Sequence, residues 1–279
     1  MRPVDRLVAG YLVFLTLIMG AQGAFVHTES WLLLALHALI GLMLYLFTRV
    51  EPFMKTGEVI RDLYPLALLP VLYGELGVLS LQSGIASTYT RDAVIQHWEA
   101  LVFGGQVAYD WIRAAPSVFW SGVLHLAYLS YYPIIILGPV LLVARGRAVN
   151  ARRVILSTMI AFVVCYTVFA LYPVAGPNYT FDHPTGPVRE VWSARLVYWM
   201  LGGGSAFGTA FPSSHVAASV ATTVALFHEW RKLAAVFLVP NALLVVGTVY
   251  LQMHYGIDAA VGLVVGISAG LMGVRIKQS

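Results

Sequence analysis

Runs of apolar residues long enough to cross a bilayer recur along the whole chain, near 7–26, 31–48, 63–82, 118–143, 153–172, 213–229, 233–251 and 257–274. Inside hydrocarbon a backbone must satisfy its own polar groups, and a helix does so with about 20 apolar residues per crossing. The expected fold is therefore all-α: a polytopic membrane helix bundle with about eight transmembrane helices. The sixth run is the shortest. Charged residues make up only 11% of the 279 positions, against roughly 25% in a soluble domain, too few to clothe a water-exposed surface.

The basic residues test this map. With the N-terminus inside, 13 of the 17 Lys and Arg fall in cytoplasmic segments, among them Arg2, Arg61, Arg147 and Arg152. Arg91, Arg113, Arg189 and Arg195 fall on the other side. Such alternation is the positive-inside pattern, and a wrong span count would scramble it. Both termini are expected in the cytoplasm. The net charge of +4 is then a topology signal, and no basic stripe with interleaved aromatics points to nucleic acid. Arg2 and Arg6 before an apolar run, with "GAQGA" after it, also suit a signal peptide; the segment is read as a retained helix. Cys165 is alone, which excludes an internal disulfide and a cysteine-based zinc site. No long repeat or linker divides the chain. Residues 1–60 are read as two N-terminal helices and 61–279 as the catalytic membrane domain, with outer-face loops 83–117 and 173–212.

On this map two polar stretches meet on one face. In "FPSSH" (211–215), Pro212 suits a first helical turn, Ser213 or Ser214 can cap the free N–H groups, and such a helix start can hold a phosphate. The plainer reading is a capped helix with an interfacial histidine. In "YLQMHYGID" (250–258), His254 and Asp258 are four apart, so on a helix they share a face. Asp258 can accept a hydrogen bond from one imidazole nitrogen and leave the other free to attack. The plainer reading there is a polar pair satisfying itself at the membrane boundary.

Together the stretches suit phosphoryl transfer. One histidine attacks phosphorus, a carboxylate orients it, a second histidine protonates the leaving oxygen, and Ser and backbone N–H groups hold the phosphate oxygens. The attacking imidazole must be neutral while the acid carries its proton, so their environments should differ. A serine hydrolase would need a nucleophile elbow, whose flanking glycines are missing. Zinc would need a third ligand such as Asp182 or His183, at a spacing that matches no strong pattern. No metal or cofactor is expected.

"FPSSH" and "HYGID" resemble two of the three signature motifs of the type-2 phosphatidic acid phosphatase superfamily. "YLQMHYGID" and "LYPVAGPNY" (171–179) look more like its inositol phosphorylceramide synthase branch, and "RDAVIQHWEALVFGG" and "LAYLSYYPI" extend the likeness loosely. The resemblance implies a six-helix catalytic core, with His254 as nucleophile, Asp258 as its partner, His215 as general acid and Ser213 as a phosphate contact. The superfamily's phosphatases carry cations in the first motif and six residues before the nucleophile; here Asn178 and Thr248 stand there. A monoester with nearly two charges needs cationic compensation, whereas a diester carries one. The expected reaction is transfer of an inositol-phosphate-type headgroup from a membrane phospholipid to an alcohol, a sphingolipid-like acceptor or water. Two alternatives remain. One is a lipid phosphate monoesterase in which Arg189 or Arg195 folds back as a clamp. The other is a lipid transporter or binder, for which Glu75 near His37 is the only hint.

His125 and the nearby tyrosines are read as structural, and His97, Trp98 and Glu99 as part of a short interfacial helix.

Overall fold

The computed structural model describes residues 1–21, 28–49, 55–82, 90–204 and 206–278. Among these it is all-helical: α1 Pro3–Ala21, α2 Thr28–Arg49, α3 Lys55–Gln82, α4 Asp92–Phe103, α5 Val107–Ala114, α6 Val118–Leu129, α7 Tyr131–Ala144, α8 Ala148–Leu171, α9 Pro177–Thr180, α10 Pro187–Glu190, α11 Trp192–Gly204, α12 Ser214–Glu229, α13 Arg231–Tyr250 and α14 Gly256–Arg275. Among the described residues seven segments are long and apolar enough to cross a membrane, with α6 and α7 forming one of them, Val118–Ala144. The expected eighth is α12. At 16 residues, or about 24 Å, it is shorter than the other seven, but it runs enclosed by other helices from His215 at one end of the bundle to Glu229 in the basic cluster at the other. Twelve of its residues are buried. The expected outer loop 173–212 is also less of a loop than it reads, since it holds α9, α10 and α11.

Small residues let α12 sit this deep. Along α14, Gly262, Gly266 and Gly270 recur every four residues, one face of a helix, and press onto α12. A Cβ at Gly266 would stand 2.6 Å from the Ala217 carbonyl oxygen and 2.7 Å from the Val220 Cβ. Without a hydrophobic force between helices in lipid, close backbone approach supplies the packing. A polar seam completes it. Asn241 of α13 donates to the Ser219 carbonyl and to the Thr223 hydroxyl, accepts from the Ser219 hydroxyl, and so fixes α12 one turn below His215. Thr158 of α8 and Thr222 share a hydrogen bond at 2.7 Å.

The basic ends gather away from the histidine motifs. Asp62 binds Arg2 at 2.6 Å and Arg152 at 2.8 Å, and Glu229 receives Arg153 and Asn150. One apolar core joins α1–α3 to α8. Within it His37 stands between the Thr16 hydroxyl at 2.7 Å and the Glu75 carboxylate at 3.3 Å, so the suspected proximity of His37 and Glu75 is real. His125 is buried and its Nδ1 donates to the Ser121 carbonyl, a structural role as expected. Cys165 is buried and free.

Candidate active site

Three loops meet at the end of the bundle opposite the basic cluster. Val174 donates to the Gly208 carbonyl and accepts from the Ala210 N–H, joining residues 173–176 to the stretch ahead of α12. Gly176 sits at the junction with φ +94°, and a Cβ there would lie 2.8 Å from the Ala210 Cβ. Both the left-handed backbone and the close approach call for glycine. The third loop, 251–255, turns from α13 into α14. Gln252 takes φ 60°, rare for a residue with a side chain. Its amide holds that shape by donating to the Pro177 and Asp182 carbonyls and accepting from Arg113.

This places His215 and His254 with ring centroids 5.7 Å apart. Both line a cavity of about 50 Å³. Its other polar walls are Tyr73, Tyr128, Asn178, Tyr179 and Thr209; no Lys, Arg, Asp or Glu lines it among the described residues. His215 lies in the first turn of α12, between the rings of Tyr128 and Tyr131 at 4.9 and 4.6 Å. Its Nε2 meets the Tyr128 hydroxyl at 3.2 Å, while its Nδ1 is buried without a partner.

His254 and Asp258 lie close together as expected, but the setting and the hydrogen bond differ. His254 is not on a helix with Asp258: it lies in the turn before α14, and Asp258 in that helix's first turn. Its Nδ1 is bonded to the Ala210 carbonyl at 3.0 Å, and the Asp258 carboxylate stands further off, at 3.5 Å. That carboxylate accepts the Tyr255 N–H at 2.9 Å instead, closing the helix start. A carbonyl oxygen can only accept, so Nδ1 is the donor and neutral His254 carries its proton there and its lone pair on Nε2. Burial lowers the His254 pKa to about 4, partly offset by the Ala210 hydrogen bond, and burial followed by the neighbouring His254 lowers that of His215 to about 3. Both imidazoles are uncharged near neutral pH in the free site, so the expected difference between their environments is not found.

The other expected site residues divide. Asn178 lines the cavity. Ser213 is the cap of α12, accepting the Val216 N–H at 3.4 Å, and Pro212 precedes that cap instead of opening the helix. Ser213 and Ser214 are buried and outside the cavity lining. Arg189 lies over the Tyr198 ring at 4.6 Å, Arg195 is exposed, and neither lines the cavity. Asp182 and His183 border a separate cavity of about 420 Å³ with Arg113. No three His, Cys, Asp or Glu side chains converge as a metal would require among the described residues.

Sequence reasoning missed the residues that hold these loops. Asp92 of α4 accepts the N–H groups of Ala175 and Gly176 at 2.9 and 2.8 Å, and the Tyr255 hydroxyl at 3.0 Å. One turn on, Gln96 donates to that same hydroxyl. Glu99 accepts the N–H groups of Gly256 and Ile257, both at 3.1 Å, and so caps α14 from outside. The only signal in the sequence was their spacing, i, i+4, i+7, on an otherwise apolar helix.

Such a chain is a membrane-embedded helical protein with two histidines over a buried, uncharged cavity. It belongs to the PAP2 superfamily, whose family model matches residues 93–272, well over half of the chain. Members of that superfamily are typically membrane phosphatases and phosphotransferases. No curated protein and no solved structure matches it.

Proposed function

We propose that the protein transfers a phospho-headgroup from a phospholipid through a covalent phosphohistidine. The observation that carries this reading is the His215–His254 pair, 5.7 Å apart over a cavity without charged walls. His215 takes up a proton as the anionic phosphate binds beside it. His254 Nε2 then attacks phosphorus and the bond to the lipid alkoxide breaks, with His215 giving that oxygen its proton. His215 then takes the proton of an incoming alcohol or water, whose oxygen displaces His254 from phosphorus. Asp258 and Ser213 act by holding the two helix starts. The first-turn N–H groups of α12, with Asn178, are the candidates to meet phosphate oxygens. Residues 61–279 form the catalytic domain on this reading, and Tyr73 of α3 supports that boundary because it lines the cavity.

The neutral walls favour a singly charged diester, and their hydroxyl and amide groups suit a polyol headgroup of the inositol type. Each charge-assisted hydrogen bond absent from a dianionic phosphate costs roughly 1.5–3 kcal/mol, about one to two powers of ten in rate. In a panel of lipid phosphomonoesters and phosphodiesters, with and without alcohol acceptors, turnover should be at least about tenfold faster on an inositol-type diester with acceptor than on phosphatidic acid. The reverse order would replace headgroup transfer by monoester hydrolysis. In that case Ala at Arg189 or Arg195 should depress monoester turnover selectively.

The site is proposed to face away from the cytoplasm, with both termini inside. In a Cys165→Ala background, Thr185→Cys should react with an impermeant thiol reagent on intact cells and Arg145→Cys should not. The opposite labelling would put the site on the cytoplasmic side.

A further inference from the structure

α4 has two faces with different neighbours. Asp92, Gln96 and Glu99 lie on one and hold the loops around His254. Val94, Trp98, Leu101 and Val102 lie on the other, one helical stripe, and are exposed, Leu101 at 71% and Val102 at 64%. The exposed apolar surface continues past the turn with Phe103 and Trp111, then into Phe119 and Trp120 at the start of the span Val118–Ala144. An amphipathic helix joined to the end of a membrane span, with Trp and Phe on its free face, fits the interfacial zone of a bilayer. In water the same face would leave a contiguous apolar patch uncovered. Trp98 also touches Phe211, edge to face at 6.4 Å, so the lipid-side stripe reaches the stretch leading to His215.

We propose that α4 and α5 are seated in the lipid interface, and that Asp92 and Glu99 are positioning residues that transmit this seating to the His254 turn. The partner of the surface is the bilayer itself. When the apolar face is buried, α4 is fixed in depth and its carboxylates hold residues 175–176 and 256–257 in place. When the lipid surface is lost, the helix is freed and the loops loosen. The proposal deepens the functional reading above and depends on it only where turnover is the readout.

The test uses the full chain in phosphatidylcholine nanodiscs and in detergent micelles. Brominated phosphatidylcholine should quench the emission that Trp98→Phe removes. Backbone hydrogen exchange at 175–176 and 256–257 should be at least about tenfold slower in nanodiscs than in micelles. In Leu101→Gln/Val102→Gln that difference should vanish while the micelle value stays unchanged. Glu99→Gln should raise exchange at 256–257 in both settings, and 2-fold or greater stimulation of wild-type turnover by the bilayer should be lost in the double Gln variant. Unquenched Trp98 emission, or equal exchange in nanodiscs and micelles for the wild type, would overturn the proposal. Retained exchange coupling in a protein that turns over no lipid would uphold it and remove the phosphotransferase reading alone.

Discussion

Replacing His254 by Ala should reduce turnover by roughly 10⁴-fold or more, the scale on which removal of a nucleophile acts in covalent catalysis. The variant should keep its fold, because what His254 gives the structure is one hydrogen bond to the Ala210 carbonyl. A wild-type sample quenched in alkali during turnover should carry an acid-labile phospho-headgroup adduct, and His254→Ala should carry none. Because burial holds the imidazole uncharged down to about pH 4, protonation of the nucleophile should not limit kcat/KM between about pH 5 and about pH 8. Undiminished turnover in the variant would end the phosphohistidine route.

The second large effect concerns the leaving group. His215→Gln should cost about 10²–10⁴-fold on a natural lipid, whose alkoxide must be protonated as it departs. On a substrate that releases p-nitrophenolate the loss should shrink to roughly tenfold or less, since that anion leaves without a proton. An equal loss on both substrates would show that His215 shapes the cavity and does not serve as an acid. Tyr128→Phe separates the two roles further. It removes the hydroxyl 3.2 Å from Nε2 while leaving the ring that stacks on His215. It should shift the basic limb of the pH profile, with KM little changed.

The spans could be read from the sequence because lipid imposes the same demand on every residue that crosses it. The alternation of Arg and Lys needs only chain order. The two histidine motifs were legible because each is local, and His37 with Glu75 because ionisable groups in apolar runs must find each other. The missed features depend on the backbone of distant segments. Asp92 binds the N–H groups of Ala175 and Gly176, and an amide of Ala or Gly leaves no mark on side-chain chemistry. The Ala210 carbonyl took the place expected for Asp258 for the same reason. Tyr128 looked like a packing residue, and only the fold brings its hydroxyl to His215. In the monoesterase alternative Arg189 or Arg195 folds back to the phosphate; in the structure the Arg189 guanidinium lies over the Tyr198 ring, a cation–π contact that its sequence neighbours do not announce.

Tyr73 closes one wall of the cavity, with its hydroxyl 3.1 Å from Thr209, yet it lies on α3, outside the matched residues 93–272. The two histidines and one part of the wall thus belong to different stretches of chain. A substitution at Tyr73 would reshape the wall, and on the proposed reading the headgroup accepted, while leaving both histidine motifs untouched. For inhibitor design, a compound that reaches the Tyr73 hydroxyl engages a part of the cavity that lies outside the matched residues.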